Sequence, residues 1–127
     1  MKKTLTILIL LISFFGFSQQ IKKNVDATEF KKLIEEKKYV LIDLRTNDEI
    51  QTKGMIKGAI QIDFLDKNAE ANIQKLDRNK SYLIYCAGGG RSADAAELME
   101  KLAFKETINL EKGFSDWKNK GFEIEKK

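Results

Sequence analysis

The fold is decided by one stretch of the chain, YLIYCAGGGRSADAAELM, residues 82–99. Its first four residues form a short, continuous apolar run, which is typical of a strand buried on both faces. The run ends at Cys86, the single cysteine of the chain, and three glycines, Arg91 and a helical pattern from about Ser92 follow. Glycines let the backbone curl inward, and a helix N-terminus adds partial positive charge. The stretch therefore predicts a turn whose backbone amides point at the cysteine sulfur.

Strand-like and helix-like patterns alternate on both sides of this unit. Apolar runs at residues 39–44, 58–62 and 107–110 predict further strands. Helical patterns start at Asp26 and at Thr46, where a Glu follows three residues later, and further ones cover residues 66–76, 92–102 and 114–119. Strands separated by helices predict an α/β fold with a mostly parallel central sheet and helices on both faces. Ligands of such sheets bind beyond the carboxyl ends of the strands, where Cys86 falls.

The first 18 residues are typical of a secretory signal peptide. Two lysines precede an apolar segment, residues 5–17, and small residues flank a cleavage site after Ser18. The segment is shorter than the roughly 20 residues that span a bilayer as a helix, although an uncleaved anchor is the alternative. The sequence thus predicts a signal peptide at 1–18 and one domain at 19–127, in the periplasm or secreted, with no stable membrane span after cleavage.

Composition excludes several classes of function. Cleavage would lower the formal net charge from +4 to +2, and the lysines are scattered among glutamates, so we expect no nucleic-acid partner. The chain has no histidine and one cysteine. A transition-metal site, histidine acid–base catalysis and an internal disulfide are therefore all excluded, and we expect neither a metal nor an organic cofactor. The chain is expected to be a monomer.

Cys86 has two interpretations. A cysteine at the end of a strand is in most proteins a small buried hydrophobe. Here, however, four residues separate Cys86 from Arg91, so that the two can bracket a ring of amides around the sulfur. Such a ring favours the thiolate, which is the nucleophilic form. Arg91 would either support a bound anion or hold the loop closed, and Ser92 can cap the following helix.

Three motifs of the chain resemble those of the rhodanese family of sulfurtransferases. They are Asp43-Leu44-Arg45 with Glu49 and residues 54–59, the loop at 85–92, and residues 110–117. The resemblance covers residues 24–122, nearly the whole mature chain. Two positions depart from the family pattern. Met55 replaces a histidine, and Lys112 replaces the first glycine of the motif at residues 110–117.

The resemblance implies a rhodanese-like α/β domain in which Cys86 carries sulfur as a persulfide. Its partners would be a small sulfur donor and a thiol acceptor, either a small molecule or a protein. The active-site loop would consist of Ala87, Gly88, Gly89, Gly90, Arg91 and Ser92. Supporting residues would be Asp43, Arg45 and Glu49. For Asp43 we weigh a role in steadying the loop, and for the other two a structural ion pair between Arg45 and Glu49.

The sequence is also compatible with two other functions. Related phosphatases and arsenate reductases have one more residue between cysteine and arginine, so the shorter loop favours a single sulfur atom over a phosphate or arsenate. A non-catalytic module for redox sensing or partner binding is the other alternative, motivated by a lone thiol in an oxidising compartment. The loop residues 87–90 carry no cation. Family members that use thiosulfate commonly have one there, so we expect thiosulfate not to be the preferred donor.

Overall fold

The computed structural model describes residues 19–127, and the predicted signal peptide lies outside the described residues. The elements follow the chain in the order β1 (Ile21–Val25), α1 (Ala27–Glu35), β2 (Tyr39–Asp43), α2 (Asn47–Lys53), β3 (Ile60–Gln61), α3 (Ala69–Gln74), β4 (Ser81–Tyr85), α4 (Gly90–Lys101), β5 (Glu106–Leu110) and α5 (Gly113–Asn119).

The five strands form one sheet in the order β1-β5-β4-β2-β3, and every pairing between them is parallel. The predicted α/β fold is therefore confirmed. The strand that precedes Cys86, β4, is central and has β5 and β2 as its neighbours. Strand β1 was not predicted from the sequence, because its five residues, IKKNV, are largely exposed and include two lysines. Lysines are common on edge strands, where they oppose pairing with another chain.

Each face of the sheet has its own hydrophobic core. Helices α1 and α5 cover one face, where Phe30 and Trp117 pack against Leu83 and Tyr85 of β4. Helices α3 and α4 cover the other face, and Cys86 belongs to that core. Since successive residues of a strand point to opposite faces, a strand covered on both sides is apolar throughout. This is why β4 appears in the sequence as an unbroken apolar run.

Local signals set the ends of the helices that flank the site. Thr46 and Glu49 form a complete capping box at the start of α2, and Gly54 ends that helix with φ +81°. Helix α4 begins at Gly90, two residues before the predicted start. Within residues 19–127, no helix is both long enough and apolar enough to cross a membrane.

Candidate active site

The Cys86 sulfur lies in a cradle of hydrogen-bond donors at the carboxyl end of β4. The backbone amide of Gly89 donates to Sγ at 3.1 Å, and that of Ser92 at 3.4 Å. The Ser92 hydroxyl is also 3.4 Å from Sγ and 3.2 Å from the Gly89 carbonyl oxygen, so its single proton can serve either acceptor. The cysteine is 1 % exposed. The loop therefore closes around one atom, as the spacing of residues 86–91 predicts.

Opposing effects act on the pKa of the Cys86 thiol. Burial raises this pKa, because a thiolate loses hydration in the protein interior. Hydrogen bonds from the Ser92 hydroxyl, the Ser92 amide and the amides of Gly89 and Gly88 lower it, and together they outweigh burial. The net result is a pKa below the ordinary value for cysteine. Because the thiolate is the reactive form, the cradle increases the nucleophilicity available near neutral pH.

Helix α5 holds the loop in the orientation that turns its amides inward. The amide of Phe114 donates to the Cys86 carbonyl oxygen at 2.8 Å, and the amide of Ser115 to the Ala87 carbonyl oxygen at 3.1 Å. With these carbonyls satisfied from outside, the following amides are free to face the sulfur. Gly113 has φ +67°, and a Cβ there would lie 2.5 Å from the Ala87 carbonyl oxygen. Only glycine allows this approach.

Gly89 and Lys112 show which positions of these turns depend on glycine. Gly89 has φ +106°, and a Cβ at this position would overlap the carbonyl oxygen of Glu111. Lys112, by contrast, has φ −101°, a value open to any residue. The family glycine that Lys112 replaces is therefore not needed for the backbone conformation found here.

Asp43 and Arg45 form a fully buried ion pair beneath the loop. The Arg45 guanidinium donates through Nη2 to Asp43 Oδ2 at 2.7 Å and to the Gly54 carbonyl oxygen at 2.7 Å. Asp43 also accepts a 2.6 Å hydrogen bond from the Tyr85 hydroxyl. Burial and the neighbouring Asp43 charge both raise the pKa of Tyr85, so the phenol stays protonated and acts as a donor. This cluster joins β2, β4 and the end of α2.

The same cluster supports the loop through Phe114. The guanidinium carbon of Arg45 lies 4.0 Å from the centroid of the Phe114 ring, a cation–π contact. Phe114 in turn donates its amide to Cys86, as described above. Asp43 accepts a backbone bond from Arg45 and, within the described chain, none from loop 86–92. Of the two roles weighed for Asp43, direct hydrogen bonding to the loop is not found, and its link to the loop runs through Arg45 and Phe114.

The predicted ion pair between Arg45 and Glu49 is also wrong. Arg45 is taken by Asp43, and Glu49 instead binds Arg91 in a bidentate pair with distances of 2.9 and 2.7 Å. The hydrogen bond with Arg91 lowers the pKa of Glu49 to about 2, against a smaller opposing effect of burial and with help from Thr46. Strand pairing explains the difference, since β2 and β4 are neighbours and bring α2 beside the loop. Arg91 thus fastens the end of the loop to α2.

Two residues of this site were not predicted as functional, Tyr85 and Ser115. In the sequence, Tyr85 is one more apolar residue of the β4 run, and Ser115 lies within the motif at residues 110–117 without having been singled out. A signal for Tyr85 exists in the register, because Asp43 and Tyr85 are partners across β2 and β4. Over residues 19–127, no group of three or more histidine, cysteine, aspartate or glutamate side chains is arranged to hold a metal ion.

Comparison with known proteins identifies the family of this domain. The family model of the rhodanese-like domain matches residues 26–120. The "Putative sulfurtransferase YtwF" of Bacillus subtilis is 31% identical over 96 residues, which cover 75% of this chain and 89% of the relative. The thiosulfate sulfurtransferase GlpE of Coxiella burnetii is 27% identical over 96 residues, 76% of this chain and 87% of the relative.

A crystal structure supports the fold assignment. The rhodanese-related protein from Thermoplasma volcanium superposes with a TM-score of 0.70 at 27% sequence identity, over 80% of this chain and 96% of that protein. The family match covers well over half of the chain, and it includes the cysteine loop and the residues that support it. The chain therefore belongs to the rhodanese-like domain family, and the two curated relatives described above are both named as sulfurtransferases, that of Bacillus subtilis as a putative one.

Proposed function

We propose that this protein is an exported sulfurtransferase that carries a sulfane sulfur as a persulfide on Cys86. The observation that carries the proposal is the convergence of two backbone amides and one hydroxyl on Sγ. Donors fixed in advance around a sulfur stabilise negative charge on it without reorganising during the reaction. A thiolate and a persulfide anion both carry such charge, so the same cradle serves both states of the cysteine.

The transfer consists of two displacement steps. In the first, the Cys86 thiolate attacks the outer sulfur of a donor persulfide, the donor S–S bond breaks, and the donor leaves as a thiolate with the bonding electron pair. In the second, an acceptor thiolate attacks the outer sulfur on Cys86, and the Cys86 thiolate leaves. No electrons are gained or lost overall, and neither step needs a metal or an organic cofactor. Arg91 keeps the loop closed through Glu49, and the amides of Gly89 and Ser92 hold the charge.

The geometry supports sulfur transfer over the two rival functions. Only four residues lie between Cys86 and Arg91, one fewer than in the related phosphatases and arsenate reductases, and this shorter loop favours a single sulfur over a tetrahedral oxyanion. A docking module that forms a mixed disulfide with a protein would need an accessible thiol, whereas Cys86 is 1 % exposed. Both observations favour a small sulfur donor and the transfer of one sulfur atom to the acceptor. We further propose that the protein acts as a monomer.

Export is proposed from the sequence of residues 1–18. A charged start, a short apolar segment and small residues before Gln19 match the pattern that signal peptidases cleave. The mature protein would then act in the periplasm or outside the cell. A lone thiol in such a compartment benefits from burial, because exposed thiolates oxidise most readily.

One measurement of intact mass tests both parts of the proposal. Protein purified from its own compartment is expected to begin at Gln19, and incubation with a small alkyl persulfide is expected to add the mass of one sulfur. Dithiothreitol should remove that sulfur. The matched control is Cys86→Ser, which should gain no mass under the same conditions.

The two parts fail separately. A mass that includes residues 1–18 contradicts cleavage but not sulfur transfer. Folded wild-type protein that gains no sulfur from any donor contradicts the transfer function, whatever its N-terminus. Equal labelling of Cys86→Ser would show that the added sulfur is not on the proposed residue.

A further inference from the structure

A cluster of lysines lies at the end of the sheet opposite the cysteine loop. Because every strand pairing is parallel, the strands start at one edge of the sheet and end, with Cys86, at the other. An open cavity of about 560 Å³ lies at the starting edge, where β2, β4 and β5 begin. Its lining includes Glu106 and four lysines that we call the basic pole, Lys37, Lys38, Lys80 and Lys105.

The basic pole has more positive charge than the acidic groups around it balance. All four of its lysines are exposed. Lys38 contacts Glu36 at 3.7 Å, and the other three take part in none of the ion pairs found among residues 19–127. Glu106 accepts hydrogen bonds from the hydroxyl groups of Ser81 and Tyr39. Counting both glutamates against the four lysines leaves a net charge of about +2, which attracts anions from solution.

The chain enters the domain at the same end of the sheet. Ile21 is the first residue of β1, and its amide donates to the Lys105 carbonyl oxygen at 2.9 Å. The side-chain amide of Gln20 donates to the carbonyl oxygens of Glu100 and Phe104 at 2.9 and 3.2 Å. These hydrogen bonds fix the start of the domain beside the basic pole.

The apolar segment at residues 5–17 is joined to the domain by a short connection. Residues 18–20 are all that separate it from Ile21. Fully extended, the four steps from Phe17 to Ile21 span at most about 14 Å. An apolar segment of this kind enters the membrane during export, and an uncleaved one stays there as an anchor. The basic pole is therefore on the side of the domain that faces the lipid while the segment is attached.

A domain bound to lipid by this pole keeps its cysteine loop in solution. Ser81 starts β4 at the basic pole, and Cys86 directly follows the last residue of that strand. Five steps along a parallel strand advance about 16 Å. The loop is thus held away from the lipid headgroups, on the side where a water-soluble donor and acceptor reach it.

We propose that the basic pole binds anionic lipid headgroups and holds the domain on the membrane surface, with the cysteine loop facing away from the lipid. Two independent observations carry the proposal, the excess of positive charge and the point at which the apolar segment joins the domain. A lysine close to an anionic lipid surface strengthens binding about fivefold. The inference goes beyond sulfur transfer and does not depend on it. The position of the apolar segment favours lipid over an acidic protein as the partner.

The test measures binding to lipid vesicles. The protein used begins at Gln19, so that the apolar segment cannot contribute, and both hydrophobic cores lie within this part of the chain. It should sediment with vesicles that contain phosphatidylglycerol, which is anionic, and not with vesicles of phosphatidylcholine alone. Lys80→Gln/Lys105→Gln should lower the binding constant about tenfold, because two charges of the basic pole are lost. Added salt should weaken the binding of the wild type.

A matched control removes the same charge from the opposite end of the molecule. Lys53 and Lys118 lie near Ala87, beside the cysteine loop. Lys53→Gln/Lys118→Gln should change the binding constant less than about twofold, because these lysines are farther than a Debye length from the lipid. An equal fall in the two double variants would show a general effect of net charge and overturn the proposal. Equal binding of the wild type to both kinds of vesicle would overturn it as well.

Acetylation of lysines by acetic anhydride tests the orientation independently. Phosphatidylglycerol and phosphatidylcholine have no primary amines, so the reagent is consumed by the protein and not by the lipid. On the vesicles, the lysines of the basic pole should be acetylated more slowly than in solution, and Lys53 and Lys118 at an unchanged rate. Protection of Lys53 and Lys118 instead would overturn the orientation. Binding to soluble polyglutamate but not to the vesicles would overturn the lipid assignment in favour of an acidic protein.

Discussion

Two arginine–carboxylate pairs support the same loop, but they lie in very different surroundings. The side chains of Arg45 and Asp43 are 1 % and 0 % exposed, whereas those of Arg91 and Glu49 are 22 % and 28 % exposed. Removing one partner of a buried pair leaves an uncompensated charge in the interior, whereas a surface pair contributes at most about 1 kcal/mol. The buried pair therefore determines whether this end of the fold forms. The outer pair affects how the loop works once it has formed.

The difference in stability between the two ion pairs is tested most strongly by changing the carboxylate of each pair, Asp43 or Glu49, to its amide. Asp43→Asn is expected to lower the free energy of unfolding by about 3–5 kcal/mol, because Arg45 keeps its charge and loses its counter-ion. Glu49→Gln, the matched variant, should cost less, because its pair with Arg91 is partly exposed and solvent screens the attraction. Urea unfolding at neutral pH measures both. Equal losses for the two variants would show that burial does not separate the pairs.

Arg91 is expected to affect reactivity more than stability. Arg91→Gln should slow sulfur loading of Cys86 about tenfold, with a loss of unfolding free energy below about 1 kcal/mol. Arg91→Lys should be affected less, because it keeps the charge although it loses the bidentate geometry. The pH dependence of alkylation by iodoacetamide gives an independent readout, and its midpoint should shift upward in Arg91→Gln. An unmoved midpoint would show that Arg91 does not influence the thiolate.

The smallest effect concerns the pH dependence of stability. The pKa of Glu49 is about 2 in the folded protein against an ordinary 4.5, so its pair with Arg91 stabilises the fold fully above pH 4.5. This contribution is lost as the pH falls from 4.5 towards 2, where the carboxylate becomes protonated. Glu49→Gln should therefore differ from wild type at about pH 6, and the difference should shrink as the pH falls towards about 2. Parallel curves for the two proteins across this range would contradict the assignment.

The sequence predicted those parts of the site that are local in the chain. Cys86, the glycine turn and the helix start lie within seven residues of one another, and the apolar runs follow from burial of the sheet on both faces. Pairings across the fold could not be derived in this way. Arg91 and Glu49 are 42 residues apart, and so are Tyr85 and Asp43. These contacts depend on which strands are neighbours, a property of the whole sheet.

Strand β1 was not predicted from the sequence for a similar physical reason. Strand β1 pairs with β5 through its backbone, and its side chains are too polar and exposed to give an apolar pattern.

The hydrogen bonds from α5 to the cysteine loop determine when the thiol becomes reactive. Ala87 and Ser115 are 28 residues apart, and the contact between them forms only when β5 and α5 have taken their places. In an unfolded chain the amides around Cys86 point in all directions, and the thiol has the ordinary pKa of about 8.5. Folding itself therefore activates the nucleophile. A nascent chain would therefore keep the reactivity of an ordinary thiol until α5 docks on the loop.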